Sequence, residues 1–332
     1  MRSRLALPLA LLMTTAVLPA SAADLVLYDA LDFAAPVAEA FTKATGVTVD
    51  VVEPGSTGET LGKIAAEGDN PQFDILWVDG SAVFARLLQD GALQAVPEDA
   101  VAAIGYNDLG KSLAPADRAF VVTGASTTAI EINTQKVAEA DYPKSWADLA
   151  RFAGVVAAKD PNLSGPAYQW MAGVFQTVGV EAGQKLMTEV LTNKTISGLG
   201  SGGKINKAVL TGDASIGINQ DSSIYAQIAK GEPVVAVYPA EGSVALPQGL
   251  GIGAKSQHLD AARKFIAFVT SAEGQAAMQA GADTDCFFIP VIEGVKPKAE
   301  RPAISFITLD DKTAAAHEAE WKQWFKDQFV AQ

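Results

Sequence analysis

Short apolar runs alternate along the chain with amphipathic stretches of helical period, the order expected of layered α/β structure. Residues 24–29 (DLVLYD) predict a first strand, and a helix follows over about residues 36–45, closed by Gly46. Residues 47–53 (VTVDVVE) predict a second strand, and 54–58 (PGSTG) turn it into a helix over about 59–67. Residues 73–78 (FDILWV) predict a third strand with Asp79-Gly80-Ser81 at its C-terminal end. This β-α-β-α-β unit makes one sheet-centred lobe.

The alternation continues beyond it. Residues 119–133 (AFVVTGASTTAIEIN) predict a long strand pair running from one lobe to the other. Residues 155–158 precede the turn DPNLSG and a helix over about 166–178; 215–219 (SIGIN) lead into a helix beginning near Asp221. Residues 234–239 form another strand, and 248–253 carry the chain back to the first lobe. Two apolar-faced helices follow at 261–268 and 272–280. Near the end, Trp321, Trp324, Phe325 and Phe329 share one helical face, a stripe that predicts docking on a core rather than a cofactor box. With no internal repeat, low-complexity tract or long linker, the lobes are expected to be intimately joined.

The opening residues change the picture of where the protein works. Arg2 and Arg4, an apolar run from Leu5 to Leu18 and the small-residue site Pro19-Ala20-Ser21-Ala22 read as an export signal, with a mature chain starting near Ala23. The run is too short to span a bilayer, and no later segment is long and apolar enough to do so. Removing residues 1–22 takes two positive charges with it, moving the formal charge from −13 to −15. That acidity argues against nucleic acid and anionic lipid as partners, but does not set the sign of a ligand in a pocket. The single Cys286 excludes an internal disulfide and, within the run CFFIP, predicts a buried structural thiol.

Candidate chemistry lies in one recurring pattern: a strand ends, Ser, Thr or Gly residues follow, and a helix begins. Ser56-Thr57-Gly58 is the clearest case, with Ser164-Gly165 and Ser201-Gly202-Gly203-Lys204 similar, and Ser126-Thr127-Thr128 in the crossing region. Helix N-termini offer unpaired N–H groups and partial positive charge, so several converging on a cleft would bind a tetrahedral oxyanion. Each motif alone is most often just an ordinary N-cap, and it is the four cases in one chain that weaken that reading. Asp29, Glu53, Asp79 and Asp221 fall at strand ends, where one or two could face an ammonium group and make the site suit a zwitterion. Tyr28, Trp77, Tyr168 and Tyr225 could supply walls or belong to the core. Catalysis finds little support: only His258 and His317 are present, and there is no GxSxG, HExxH, GxGxxG or metal-type Cys/His spacing. No cofactor, metal site or catalytic residue is therefore expected.

The chain resembles the extracellular solute-binding proteins of ABC importers, in the branch that contains ferric-iron and 2-aminoethylphosphonate binders. The residues carrying the resemblance are Asp74-Ile75-Leu76-Trp77, Asn133-Thr134, Pro143-Lys144-Ser145-Trp146-Ala147-Asp148-Leu149, and residues 261–269 followed by Ser271-Ala272-Glu273-Gly274-Gln275. The resemblance implies a periplasmic-binding-protein type II-like α/β fold: two lobes joined by crossing hinge strands, closing on a ligand. Residues 23–123 and 240–295 would form the first lobe, 124–239 the second, and 296–332 a helical segment near the hinge or second lobe. It further implies a periplasmic monomer that hands a small ligand to an inner-membrane ABC permease. Iron-binding members use adjacent tyrosines where this chain reads Asn219-Gln220-Asp221-Ser222-Ser223-Ile224-Tyr225, which demotes iron. Carried over by position, Ser56, Thr57, Gly58, Ser126, Thr127, Ser164 and Gly165 would hold a phosphonate. Asp221 or Asp79 would face the amine of 2-aminoethylphosphonate, with Tyr225 or Tyr168 closing the wall. A sugar phosphate or inorganic oxyanion, and an enzyme or sensory module on the same fold, are the alternatives.

Overall fold

The computed structural model describes residues 23–330 except 153, 192–195 and 308. The expected export signal lies outside the described residues. The chain runs β1 (Leu25–Asp29), α1 (Ala34–Thr45), β2 (Val49–Val52), α2 (Thr57–Glu67), β3 (Ile75–Asp79), α3 (Ser81–Gln89), β4 (Leu93–Gln94), α4 (Glu98–Ala102), α5 (Asp108–Leu113) and β5 (Val121–Asn133). It continues through β6 (Val156–Lys159), α6 (Gly165–Val178), α7 (Val180–Leu191), β7 (Ile196–Leu199), α8 (Gly202–Thr211), β8 (Ile216–Gln220), α9 (Asp221–Ala229) and β9 (Val234–Val237). The return passes through β10 (Ser243–Gly253), α10 (Leu259–Val269), α11 (Ala272–Gln279), β11 (Phe306–Ile307) and α12 (Asp311–Phe329).

The strands line up in the order β2-β1-β3-β10-β5-β8-β6-β7. β1 pairs in parallel with β2 and β3, and β6 pairs in parallel with β7 and β8, so each lobe has its own parallel core. Between them run β10 and β5, antiparallel to each other and buried at every position. β5 is one continuous strand, not the strand pair the sequence predicts. Its residues 121–127 pair with β10, and 128–133 pair with β8 and β9. The run has no turn-forming dipeptide, so Gly124 is absorbed into the strand opposite Gln248, beside a register shift in β10.

Side chains alternate across each parallel core. In the first lobe Leu25, Leu27, Ile75 and Trp77 face Phe41 and Phe265, while Tyr28, Leu76 and Val78 face Ile64 and Phe84. In the second, Val156, Ile216 and Ile130 face α6, whereas Ala129 and Ala157 pack on the other side against Ile205 and Val209 of α8. The C-terminal stripe docks as expected: Trp321 and Phe325 are buried, with the Trp321 ring edge-on to Phe175 at 5.2 Å. The opposite side of α12 reaches the first lobe through polar pairs, Ser81 Oγ to Asp311 at 2.5 Å and Arg86 to Glu318 at 3.4 Å. Cys286 is buried, and burial pushes its thiol pKa up. Among the described residues no helix is long and apolar enough to cross a membrane.

Candidate functional site

Three of the predicted Ser/Thr/Gly motifs converge. Ser56 caps α2 in a capping box with Glu59, whose carboxylate accepts from the Ser56 backbone N–H at 2.7 Å. Ser164 caps α6, accepting from the Ala167 N–H at 3.4 Å. Ser201 precedes α8 with no side-chain cap bond. All three termini line one cavity of about 210 Å³. It opens past Ala30, Asp32, Ser56, Gly200 and Ser201 into an outer chamber of about 630 Å³, bounded also by Glu53, Asn162, Leu163 and Lys204.

Charge in the inner cavity divides by lobe. Asp32, after β1, Asp79, at the end of β3, and Asp285, in the short 3-10 turn Thr284–Phe287, all come from the first lobe. Lys159, at the end of β6, comes from the second, together with the first turns of α6 and α8 and Ser223 of α9. Gln220 joins the two sets. Its Nε2 donates to Asp79 Oδ2 at 3.1 Å and to Ser126 Oγ at 3.2 Å, and its Oε1 accepts from Lys159 Nζ at 2.9 Å.

These charges are costly where they stand. Burial pushes Asp79 up to about 6 and Lys159 down to about 8, so for both groups desolvation outweighs their mutual attraction. Asp285 is raised well above the ordinary carboxyl value by burial and then by Asp79 and Asp32; Asp32 is raised by burial and by Asp283. Asp79 Oδ1 is buried with no hydrogen-bond partner. Three carboxyls against one ammonium leave a cavity that a cationic group would relieve, beside helix termini that favour an anion.

Several sequence-predicted residues lie elsewhere. Thr57 and Gly165 line the cavity, and a Cβ on Gly165 would lie 3.6 Å from Thr57 Cγ2, so the two termini meet across the lobes. Gly58 lines only the outer chamber and a void of about 40 Å³ behind it; its backbone abuts the Leu163 carbonyl, where a Cβ would come within 3.1 Å. Ser126 is buried beneath Gln220, and Thr127 donates from Oγ1 to the Val244 carbonyl at 2.7 Å, so neither lines the cavity. Asp221 does not face the cleft. It accepts from the Thr127 N–H at 3.0 Å, Tyr238 Oη at 3.1 Å and Arg301 Nε at 2.6 Å, which commits both oxygens. Tyr225 lies against the Arg301 guanidinium, 4.4 Å from ring centre to Cζ, and is no wall of the site. Tyr168 borders the void of about 40 Å³ beside Thr57 and Gly165 but lines neither the inner cavity nor the outer chamber, and its hydroxyl turns into the second-lobe core, donating to the Ala314 carbonyl.

The sequence reading missed Asp32, Lys159, Gln220 and Asp285. Lys159 had a signal: it is the charged residue closing an apolar strand, as Asp79 is. Asp285 had none, since it reaches the site only through the packing of the Thr284–Phe287 turn, its Oδ2 accepting from the Asp32 N–H at 3.0 Å.

A family model described as bacterial extracellular solute-binding protein matches residues 37–305. A Salmonella paratyphi A protein named "Putative 2-aminoethylphosphonate-binding periplasmic protein" is 25% identical over 306 residues, covering 87% of this chain and 85% of its own length. The major ferric iron-binding protein of Neisseria meningitidis serogroup B is 26% identical over 324 residues, covering 91% and 93%. The fold is similar to that of the periplasmic binding protein AfuA from Actinobacillus pleuropneumoniae, solved with fructose-6-phosphate bound. The TM-score is 0.81 at 19% identity, over 93% of this chain and 99% of that one.

Proposed function

Because the chain belongs to the family of bacterial extracellular solute-binding proteins, we propose that it captures a small zwitterion for an ABC importer, and that this ligand is 2-aminoethylphosphonate. The observation that carries the reading is the division of charged side chains by lobe: Asp32, Asp79 and Asp285, beside the α2 N-terminus, on one side, and Lys159 with the α6 and α8 N-termini on the other. A ligand with an ammonium at one end and a tetrahedral oxyanion at the other satisfies both walls only when the lobes are together. Closure then follows from differential affinity for the closed state. Each charge-assisted hydrogen bond contributes about 1.5–3 kcal/mol.

The relatives named for 2-aminoethylphosphonate support this reading, and those named for ferric iron support a different one. Among the described residues no tyrosine or histidine lines the inner cavity or the outer chamber, so hard-metal coordination there would have to rest on carboxylates. A sugar phosphate is the second reading, favoured by the roomy outer chamber.

Calorimetric titration of residues 23–332 tests these against each other, with 2-aminoethylphosphonate, methylphosphonate, inorganic phosphate, fructose-6-phosphate and ferric citrate as ligands. Selective binding of 2-aminoethylphosphonate is the expected result. Binding of methylphosphonate with equal affinity would remove the amine site from the reading. Selective binding of iron or the sugar phosphate would replace the ligand while keeping the solute-binding role.

A further inference from the structure

Glu131 sits in the middle of β5 with its carboxyl wholly buried, and among the described residues it forms no ion pair. Its cross-strand neighbour in β8 is Gly217, where a Cβ would lie 3.3 Å from Glu131 Oε2; the missing side chain makes room for the carboxyl under α8. Burial pushes its pKa up to about 7. Such a group is costly in a core, and Ile130 and Ile132 beside it show that the strand accepts apolar residues.

The carboxyl holds Asn219, and the Asn206 amide of α8, turned to satisfy its neighbours, donates to it as well at 3.0 Å. Asn219 Nδ2 donates to Glu131 Oε2 at 2.9 Å and reaches the Gly202 carbonyl at 3.3 Å, while its Oδ1 accepts from the Gln220 N–H at 2.9 Å. Gly202 opens α8 at the cavity wall, and a Cβ there would come within 2.9 Å of Asn219 Oδ1. Gln220 is the amide that joins Asp79 to Lys159. One buried acceptor therefore orients an amide that fixes two separate parts of the cavity wall.

We propose that Glu131 is a positioning residue for the ligand site, acting through Asn219 to hold the α8 N-terminus and the Gln220 amide in binding geometry. The inference rests on the proposed cavity as the binding site but not on the identity of the ligand. It predicts that the shape of the acceptor matters, because Gln at 131 keeps a carbonyl oxygen for Asn219 and Leu does not.

The test compares wild type, Glu131→Gln and Glu131→Leu at one fixed pH by two readouts. The first is amide hydrogen exchange in ligand-free protein. Glu131→Leu is expected to speed exchange at Gln220 and across residues 205–210 at least tenfold, with Glu131→Gln within threefold of wild type. The second is calorimetric affinity for 2-aminoethylphosphonate, expected to fall at least tenfold in Glu131→Leu and to be rescued in Glu131→Gln. If Glu131→Leu does not fold, Asn219→Ala, which cuts the next link, is read by the same criteria. Wild-type exchange and affinity in whichever of these folds, or equal damage in Glu131→Gln and Glu131→Leu, overturns the proposal. If wild type does not bind 2-aminoethylphosphonate, the ligand reading fails, and the exchange readout alone decides the relay.

Discussion

The amide of Gln220 crosses the cleft to Asp79, donating from Nε2 to Oδ2 over 3.1 Å, while its oxygen accepts from Lys159 at 2.9 Å. A neutral side chain thus mediates between an acid of one lobe and a base of the other. Gln220→Leu removes the mediator and leaves two buried charges without it, so ligand affinity should fall about 10–100-fold, the equivalent of about one charged hydrogen bond. Small-angle scattering of the ligand-free variant should also show a larger radius of gyration. Wild-type affinity in Gln220→Leu would mean that the amide plays no part in closure.

Arg301 and Asp221 form a different kind of pair, 2.6 Å apart and almost without solvent contact. Arg301→Ala strands a buried carboxylate, which costs about 3–5 kcal/mol. Denaturant unfolding should show that loss as a lower midpoint. Since neither residue lines the cavity, the folded fraction should bind ligand within about threefold of wild type. A large loss of affinity at unchanged stability would return Asp221 to the ligand site.

The contrast between Asp79 and Asp221 shows what the sequence could convey. Both are acids at strand ends, and the rule that ligands gather there applied equally to each. Asp79 reaches the cavity; Asp221 meets Arg301, 80 residues further along the chain. Local pattern carried the elements well, because strand runs, N-caps and Gly46 act within a few residues: Gly46 adopts φ 77° where the sequence ends its first helix. The three Ser/Thr/Gly termini were legible as motifs for the same reason. Their shared cavity depends on β5 and β10 running between the lobes, and Asp285 enters it only through packing of the chain's return. Tyr168 stays out of the inner cavity because the helical stripe at Trp321 and Phe325 draws its hydroxyl end into the core.

The buried carboxyls also set a pH dependence, with a sign opposite to the usual one. Asp29 and Glu131 are raised to about 7 and Asp79 to about 6, in each case chiefly by burial. Between about pH 4 and 7 the folded chain therefore holds protons that the unfolded chain has released, and stability falls as pH rises through that window. Carboxyls with lowered pKa, such as Glu59 and Asp310, lose their contribution only below that range. The ligand-free protein should melt at a higher temperature at pH 5.5 than at pH 8. Asp29→Asn keeps an acceptor for the Leu31 N–H and removes the charge, so it should flatten the slope and raise Tm at pH 8. In a chain of about 300 residues each 1 kcal/mol gained is worth about 1.5–2 °C. A wild-type Tm that climbs steadily from pH 5.5 to 8 would contradict the assignment.

Charge division by lobe makes the two ends of the ligand separately testable. Asp79→Asn and Asp32→Asn weaken the ammonium-binding end of the site, so they should cost 2-aminoethylphosphonate about tenfold or more in affinity. The same variants should leave methylphosphonate unaffected or bind it more tightly, because a repelling carboxylate has gone. Lys159→Met acts at the other end and should weaken both ligands together, with its straight chain filling the space of the lysine stem. Competition calorimetry of the two ligands against the three variants gives the comparison directly. If the aspartate variants weaken both ligands by the same factor, the carboxyls hold the lobes rather than the amine. Specificity would then have to come from the outer chamber, where Glu53 and Glu59 are the remaining acids.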